Sequence, residues 1–534
     1  MTVGGPARVS GPGDGGISTC PLDADPRRWL ALTVMCFTVL LISLDGTVLN
    51  VALPTLVTDL HPSASGVQWI AAGFVLTEAV LLLMGGALGD RLGRRRVFLA
   101  GVAVFGLSSL GCALVHSAGL LILTRCLTGL GAALLMPATL AIIATTFPVW
   151  ERSRAIGIWA GVSGIGTAAG PLIGGFLLHN FWWGSVFIIN VPVAAAGIIG
   201  GVFFVSESKA PDPAPLDPTG VTLSALGLAG ITYGLIMAPD DGWTSASTVG
   251  SMIAGSVLLG IFVVYDRRRA RPMVDFHLFR NPTFSTGLAA VAAAMFAMFG
   301  VSFLLSQYIQ FVQGASVFSV GLRFLPMAAG TLVGSNVATR LATRFGLRAV
   351  ITAGMLLVSA ALGIYTTLGV TSDPLPVAVA FTLVGSGMGL VMAPASNAVM
   401  STLPPDKIGL GSGLRTTVQL LSGSFGVAII GNVAISRYRS GVSSALAGPL
   451  RQLPRSARDA IYSQIGSATA VASRLPDPSA ARVRALADSA YVRGIRLGAL
   501  VDVTVLLLAV VAVARYIPSS RPSMAVAVSA ETAI

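Results

Sequence analysis

Three ionisable residues stand alone inside long apolar runs of this sequence. Asp45 and Glu78 each have apolar neighbours on both sides, and Arg125 lies about one turn into a later run. A charge near the bilayer centre costs about 3 kcal/mol or more, so each group must be paired or face water. A carboxyl that alternates between protonated and ionised forms carries a proton, and a nearby arginine favours the ionised form. We interpret the three as proton-coupling residues; a static ion pair and structural hydrogen bonds between helices form the alternative.

A glycine-rich stretch with one proline follows these groups in the chain. Small residues let two helices approach closely, and a proline inside a helix removes one backbone donor and permits a bend. The stretch predicts a hinge helix at the place where two halves of the protein meet. A tight packing face without a hinge is the other interpretation. The residues concerned are Gly157, Gly166, Gly170, Pro171, Gly174 and Gly175.

A short basic loop follows the second apolar run. It combines one acid with several arginines and two glycines, and an ordinary solvated loop on the positive side of a membrane would carry similar charges. A gate loop is the other interpretation, and the family resemblance given below favours it. The predicted gate residues are Gly86, Asp90, Arg91, Gly93, Arg94 and Arg95.

Polar residues of the ninth apolar run repeat at helical spacing. Ser302, Ser306 and Gln310 are four residues apart, so a regular helix places them on one face. Methionines nearby offer an adaptable apolar surface. A substrate cavity and core packing explain this pattern equally well. The candidate cavity residues are Ser306, Gln307, Gln310, Met388, Met392 and Asn397.

Two further charges lie close to the expected ends of apolar runs. Asp502 is near the outer end of the last run, and Arg415 is near the inner end of the thirteenth. Side chains in such positions reach the membrane surface. We therefore expect both to contact water or lipid headgroups.

The composition defines the environment in which these groups act. The chain has 534 residues, of which 54% are hydrophobic and only 10% charged, so it must reside in lipid. Apolar runs of about twenty residues have the length that a helix needs to cross a bilayer. The sequence therefore predicts an all-α polytopic membrane protein with fourteen spans. The expected spans are 29–53, 69–88, 97–115, 120–141, 155–178, 185–205, 219–237, 247–265, 284–311, 321–339, 349–369, 376–398, 408–435 and 497–516.

The basic residues are distributed unequally between the two sides. With the amino terminus inside, the short outer loops hold at most Arg323, and this asymmetry places both termini in the cytoplasm. The net charge of +12 reflects this orientation, so nucleic acid is not expected as a partner. The short inner loops hold Arg91, Arg94, Arg95, Arg96, Arg152, Arg154, Lys209, Arg267, Arg268, Arg269, Arg271, Arg280, Arg340, Arg344, Arg348 and Lys407.

Spans one to six and spans nine to fourteen form two groups of six, and two extra spans lie between them. Two such groups are the arrangement of transporters with internal repeats. Residues 436–496 form a long loop that we place outside although it carries ten arginines; a miscounted span is the alternative. Its segments 455–475 and 479–492 are predicted helical. The predicted units are a disordered cytoplasmic tail (1–26), an N-terminal six-helix bundle (27–205), a linker with two additional spans (206–283), a C-terminal six-helix bundle (284–516) and a cytoplasmic tail (517–534).

Four motifs in order resemble one known family. They are LDGTVLNVALP at 44–54, GALGDRLGRRRVF at 86–98, LILTRCLTGLGAA at 121–133 and the glycine–proline stretch. The chain resembles the fourteen-helix drug:proton antiporter branch of the major facilitator superfamily. The resemblance implies the major facilitator fold of two six-helix bundles plus two extra central helices, alternating access and proton-driven export. It also implies that Asp90 latches the halves together, with the start of span thirteen near Lys407 as the expected partner.

The function predicted from these observations is export of a small lipophilic compound, monocationic or neutral, against protons at the cell membrane. The expected partners are this substrate, protons and the lipid bilayer, and the expected functional unit is a monomer. No phosphate loop of the Walker type and no metal-ligand spacing is present, so neither ATP nor a metal is expected. A proton-coupled nutrient importer on the same fold is the alternative. A polytopic membrane enzyme fits least, because no compact catalytic cluster is found.

Overall fold

The structure, a computed structural model, describes residues 26–209, 217–269, 272–403, 408–447 and 452–518. This part of the chain is helical and contains no strand. Fourteen of its helices are long and apolar enough to cross a membrane. The predicted all-α fold with fourteen spans is therefore confirmed.

The first six spans pack as one group, in which α1 lies against α5 and α7 and α4 lies between α2 and α3. At the start of α1, Arg28 pairs with Glu151 near the start of α5 at 2.8 Å. We call the end of the molecule where α1, α3 and α5 begin the basic end. The helices are α1 (Arg28–Leu60), α2 (Ala64–Leu92), α3 (Arg94–Leu114), α4 (Ala118–Thr146), α5 (Val149–Asn180), α6 (Ser185–Ile188) and α7 (Asn190–Phe204).

The sixth predicted span, 185–205, is interrupted in the structure. A short helix α6 ends at Ile188, and α7 begins at Asn190. Pro192 explains the break, because its ring nitrogen has no hydrogen to give to the carbonyl one turn earlier, that of Ile188. The interruption places Asn190 at the start of α7, where it is buried.

The last six spans form a second group, in which α14 packs against α10 and α17 and α13 packs against α11 and α12. The helix α10 ends in a π-helical turn, Tyr308–Val312. The helices are α10 (Pro282–Gln307), α11 (Val317–Phe345), α12 (Leu347–Thr367), α13 (Pro374–Met400), α14 (Ile408–Ala447), α15 (Arg455–Ser463), α16 (Ile465–Ala472) and α17 (Ser479–Tyr516).

The region 436–496 differs from the predicted loop. The helix α14 continues to Ala447, and α17 begins already at Ser479. Residues 436–447 and 479–496 contain no proline, so the helical hydrogen bonds can continue through both segments. The predicted helical segments 455–475 and 479–492 are helical, apart from a break at Gln464 and a turn over 473–475. Gln464 donates to the Pro62 carbonyl at 2.8 Å, so α15 and α16 lie over the loop between α1 and α2. We call this end of the molecule the capped end.

The two additional spans, α8 (Pro218–Asp241) and α9 (Ala246–Arg267), form a hairpin at the side of the molecule. The helix α8 contacts both α2 and α14, and Arg439 of α14 pairs with Asp240 at 2.5 Å. Asp217 caps the start of α8 and pairs with Arg269. Burial raises the pKa of the Asp217 carboxyl, but hydrogen bonds from the Gly220 amide and Arg269 outweigh it and hold the pKa below its usual range. The hairpin therefore covers the junction between the two groups.

The two groups meet along α5 with α11 and along α2 with α14. A Cβ atom built on Gly175 of α5 would lie 3.1 Å from the Cα atom of Phe318 on α11. A Cβ atom built on Gly431 of α14 would lie 3.0 Å from the Gln68 amide nitrogen of α2. Both contacts lie toward the capped end, because α2 and α11 begin there.

Candidate functional site

The three isolated charges predicted in the first half of the chain come together in the structure. Arg125 of α4 donates to Asp45 of α1 with an Nη1–Oδ2 distance of 2.5 Å. The exposed fractions of the two side chains are 1% and 0%. Because both charges are removed from water, each depends on the other for stabilisation.

A buried amide completes the coordination of Asp45. Asn190 Nδ2 donates to Asp45 Oδ1 at 2.9 Å and also lies 3.3 Å from the Ser109 hydroxyl oxygen. Both oxygens of the Asp45 carboxylate therefore have a partner. The sequence interpretation assigned no role to Asn190, although an amide two residues before a proline inside an apolar span is an available signal.

Aromatic rings enclose the guanidinium group. The Arg125 Cζ atom lies 4.6 Å from the ring centre of Phe74 and 5.7 Å from that of Phe187. Such contacts stabilise a cation through the electron-rich ring faces. The rings also replace water around the ion pair, which strengthens its electrostatic interaction.

Glu78 lies one turn beyond Phe74 on α2 and is within electrostatic reach of Asp45 and Arg125. Its side chain is buried, and its Oε1 atom has no hydrogen-bond partner among the described residues. Gly129 of α4 permits this approach, since a Cβ atom there would meet the α2 backbone at the Glu78 amide, at 3.2 Å. Two carboxyls and one guanidinium are electrically neutral only when one carboxyl is protonated. Because Asp45 is fully paired, Glu78 is the better site for that proton.

The predicted hinge stretch packs against both halves. Cβ atoms built on Gly166 and Gly174 would lie 2.9 Å from the Leu40 carbonyl oxygen and 2.5 Å from Val48 Cγ2 on α1. Gly170 faces the Thr47 hydroxyl of α1, and the Pro171 carbonyl faces Gly321 of α11.

Gly157 belongs to the hinge prediction but not to this contact. Among the described residues, no atom of a neighbouring element lies within 4 Å of a Cβ built on it. The close packing therefore covers only the capped half of the stretch.

The gate loop contacts the segment after α7. Asp90 pairs with Arg94 at 2.8 Å, the Arg95 amide donates to Glu207 Oε1 at 3.1 Å, and the Arg94 amide donates to the Ser208 carbonyl at 2.9 Å. The expected partner region near Lys407 lies outside the described residues. The predicted gate residues Gly86 and Arg91 occupy the last two turns of α2.

The turn between α2 and α3 requires glycine at position 93. Gly93 has φ +116°, and a Cβ atom there would lie 2.6 Å from Glu207 Oε1. We expect Gly93→Ala to lower the free energy of unfolding by about 1–3 kcal/mol, through backbone strain and the clash. Thermal unfolding of the purified protein measures this loss. Gly89→Ala is the matched control, because its Cβ contact is an ordinary 4.0 Å, and equal melting of both variants would contradict the prediction.

The predicted cavity residues do not form one face. The π-helical turn changes the register after Gln307, so Gln310 no longer follows Ser306 by a regular helical repeat. The buried Ser306 hydroxyl donates to the Phe303 carbonyl at 3.1 Å. Met388 is also buried, Met392 packs at the edge of the core, and Asn397 is exposed. Their role in substrate binding stays a prediction.

In the described part of the chain, two packed groups of six spans and a two-span hairpin, with a buried charge cluster between transmembrane helices, define a multi-pass membrane transporter. Residues 35–427 match the family model of the Major Facilitator Superfamily. The chain belongs to this superfamily.

Curated relatives cover most of the chain. The tetracenomycin C resistance and export protein of Streptomyces glaucescens is 34% identical over 412 residues, 77% of either chain. The multidrug efflux pump LfrA of Mycolicibacterium smegmatis is 34% identical over 470 residues, 88% of this chain and 92% of the relative.

Solved structures share the fold. A bacterial homologue of the human lysosomal transporter Spinster, in an inward-facing and occupied conformation, aligns with a TM-score of 0.65 at 17% identity. The alignment covers 92% of this chain and 97% of that one. At this identity the likeness concerns the fold alone.

Proposed function

We propose that the protein is a proton-coupled exporter of small lipophilic compounds, monocationic or neutral, that works by alternating access. The observation that carries this proposal is the buried cluster of Asp45, Arg125 and Glu78, which has two carboxyls for one guanidinium. Such a cluster binds one proton and releases it when its surroundings change. The names of the relatives, a resistance and export protein and a multidrug efflux pump, support export of such compounds.

The transport cycle follows from the arrangement of the cluster. In the conformation described here, Glu78 holds the proton while Asp45 is neutralised by Arg125 and Asn190. When α1 and α4 open to water, Glu78 releases this proton and the site accepts a cationic or neutral compound. The hinge stretch of α5 transmits the change, because it contacts α1 in one half and α11 in the other. Transport is driven by the proton gradient without ATP, and the functional unit is a monomer.

The orientation of the protein follows from its charges. The basic end carries Arg28, Arg94, Arg95 and Arg96 at the starts of α1 and α3. Positive residues are retained on the cytoplasmic side during membrane insertion. We therefore place the basic end and both termini in the cytoplasm of the cell and the capped end outside.

The proton-coupling role of Glu78 can be tested in everted membrane vesicles with an imposed pH gradient. We expect Glu78→Gln to retain downhill movement of a fluorescent lipophilic cation such as ethidium but to lose the part of the proton-driven accumulation that is coupled through Glu78. With a gradient of one pH unit, the loss is about tenfold for each coupled proton, since one pH unit corresponds to 1.36 kcal/mol.

The control is Asp59→Asn, which removes an exposed carboxyl of α1. This variant should accumulate the dye like the wild type, and a protonophore should abolish accumulation in both. Proton-driven accumulation by Glu78→Gln at the wild-type level would contradict the role of Glu78. Insensitivity of the wild type to the protonophore would contradict proton coupling altogether.

A further inference from the structure

A second buried carboxyl lies in the other half of the molecule. Asp502 was expected near the end of the last span, where its side chain would reach the membrane surface. The structure shows that this expectation is wrong, because the Asp502 side chain is enclosed by neighbouring helices and does not reach the surface of the protein. The residue is 0% exposed, and among the described residues neither carboxyl oxygen has a hydrogen-bond partner.

The position of Asp502 follows from the packing of α17 against α14. A Cβ atom built on Gly494 would lie 2.6 Å from the Ala434 carbonyl oxygen, and one on Gly498 would lie 3.1 Å from Ile430 Cγ2. The two helices are antiparallel, so each turn forward on α17 is a turn back on α14. Asp502 is therefore level with Gly426, where α14 touches α10.

None of the charged or titratable groups described on the elements around Asp502 forms a hydrogen bond with its carboxyl. The helices α10 and α16 carry no titratable residue. Tyr438 and Tyr491 donate to the carbonyls of Ile461 and Leu304, and Arg496 donates to that of Leu368. The other titratable or charged residues of the elements that pack around α17, and of α17 itself, are Tyr308, Arg348, Tyr365, Arg415, Arg437, Arg439, Arg482, Arg484, Asp488, Arg493, Arg515 and Tyr516.

An ionised carboxylate without a hydrogen bond or a counter-ion is strongly disfavoured in such a place. Asp502 is therefore a neutral carboxylic acid in this conformation. Its proton can leave only when water or a base reaches it, which requires that the contact between α14 and α17 opens.

The helix α14 links this contact to the interface between the halves. Ile430 faces Gly498 of α17, while the next residue, Gly431, faces Gln68 of α2 in the first half. A movement of α14 relative to α2 therefore also changes its contact with α17. Glycines on α10, α14 and α17 allow such a movement with little side-chain obstruction, since Gly300, Gly426 and Gly498 all lie in this contact.

We propose that Asp502 is a second proton-binding site, which takes up a proton when the C-terminal half is closed as described here and releases it in the alternate conformation. The proposal rests on the proposed proton-coupled transport. It assigns to Asp502 one proton per transport cycle in addition to the proton of the Glu78 cluster.

The first test is independent of transport. Purified full-length protein in liposomes is titrated with alkali while the carboxylic C=O stretching band is followed by infrared spectroscopy. We expect the protonated-carboxyl band of the wild type at neutral pH to lose the contribution of Asp502 in Asp502→Asn, while the contribution of Glu78 persists. The band should remain in Asp45→Asn, which alters the other site. A spectrum of Asp502→Asn identical to that of the wild type would overturn the proposal.

The second test measures protons taken up per ethidium ion moved in the same liposomes. We expect Asp502→Asn to fold normally, because asparagine has the shape of the neutral acid, and to use one proton fewer per substrate. Asp502→Leu checks that the loss follows from the missing acid, and Thr504→Val, at an exposed position of α17, is the matched control.

An unchanged ratio of protons to substrate in both Asp502 variants would mean a static acid and would overturn the proposal. Absence of proton coupling in the wild type would instead contradict the proposed function, and the infrared band of Asp502 would still be present. The two failures are thus distinguishable.

Discussion

The Asp45→Asn variant is expected to be less stable than the Arg125→Leu variant and to export poorly. Loss of Asp45 leaves a buried guanidinium that cannot give up its proton, has lost its hydrogen-bonded counter-ion and has no hydrogen bond to the Glu78 carboxyl, at a cost of about 3–5 kcal/mol. Loss of Arg125 leaves a carboxyl that can take up a proton and keep its hydrogen bond to Asn190, at a cost of about 1–3 kcal/mol. Thermal unfolding of the two purified variants in detergent measures the difference.

The double variant Asp45→Asn/Arg125→Leu separates stability from function. Removing both charges of a buried pair is often neutral for stability, so we expect its melting temperature to recover most of the loss. Export should remain at least about 100-fold below the wild type in all three proteins, since a lost interaction of 3 kcal/mol corresponds to that factor. A melting temperature of Asp45→Asn equal to that of Arg125→Leu, or export by the double variant, would contradict the ion-pair interpretation.

The charge cluster shows how much of the site could be predicted from the sequence. A charge in an apolar span must find a partner or water, and this rule identified Asp45, Glu78 and Arg125 without any contact information. Which groups pair depends on how each helix is rotated about its axis, and no residue type encodes this rotation. Asn190 was missed for that reason, since an amide tolerates several surroundings and its position depends on the break before Pro192.

Asp502 shows the complementary difficulty. Whether a carboxyl near a span end reaches water depends on how the neighbouring helices pack around it, and the apolar run alone suggested that the helix begins at residue 497 rather than at Ser479. The polar segment before that run is amphipathic and packs on α14 and α16, so it continues the helix without contributing to the hydropathy signal. The fourteen spans were predictable because their length is fixed by the bilayer. Extensions beyond the bilayer are stabilised by tertiary contacts that a single sequence does not reveal.

The gate loop combines both cases. Its acid and arginines were recognised from their types and spacing, and the glycine at position 93 has the positive φ angle that its residue type permits. Its contacts to Glu207 and Ser208 come from the segment that follows α7, which carries no pattern of its own. Contacts to an irregular segment such as this one depend on the tertiary structure and cannot be predicted from the pattern of residue types.

The Gly321→Val variant is expected to impair export while each half of the protein stays folded. Gly321 of α11 lies against the Pro171 carbonyl of α5, and a side chain there would force the two helices apart. Overpacking of this kind costs about 1–3 kcal/mol. Because the contact joins the halves and not the helices within one half, the cost falls on the conformation that is closed at the capped end. The equilibrium between the two conformations should therefore shift by roughly 5- to 150-fold.

Maleimide labelling of a Val320→Cys reporter, buried in α11 beside Gly321, measures this shift, and ethidium export measures its consequence. Gly363→Val on α12 is the matched control, because in the described part of the chain no neighbouring element lies within 4 Å of a Cβ atom at that position. The reporter should be labelled faster with Gly321→Val than with Gly363→Val at equal membrane abundance. Equal labelling and normal export would show that the contact between α5 and α11 does not hold the halves together at this end. The glycine–proline stretch would then be a packing face of α1 alone and not a hinge.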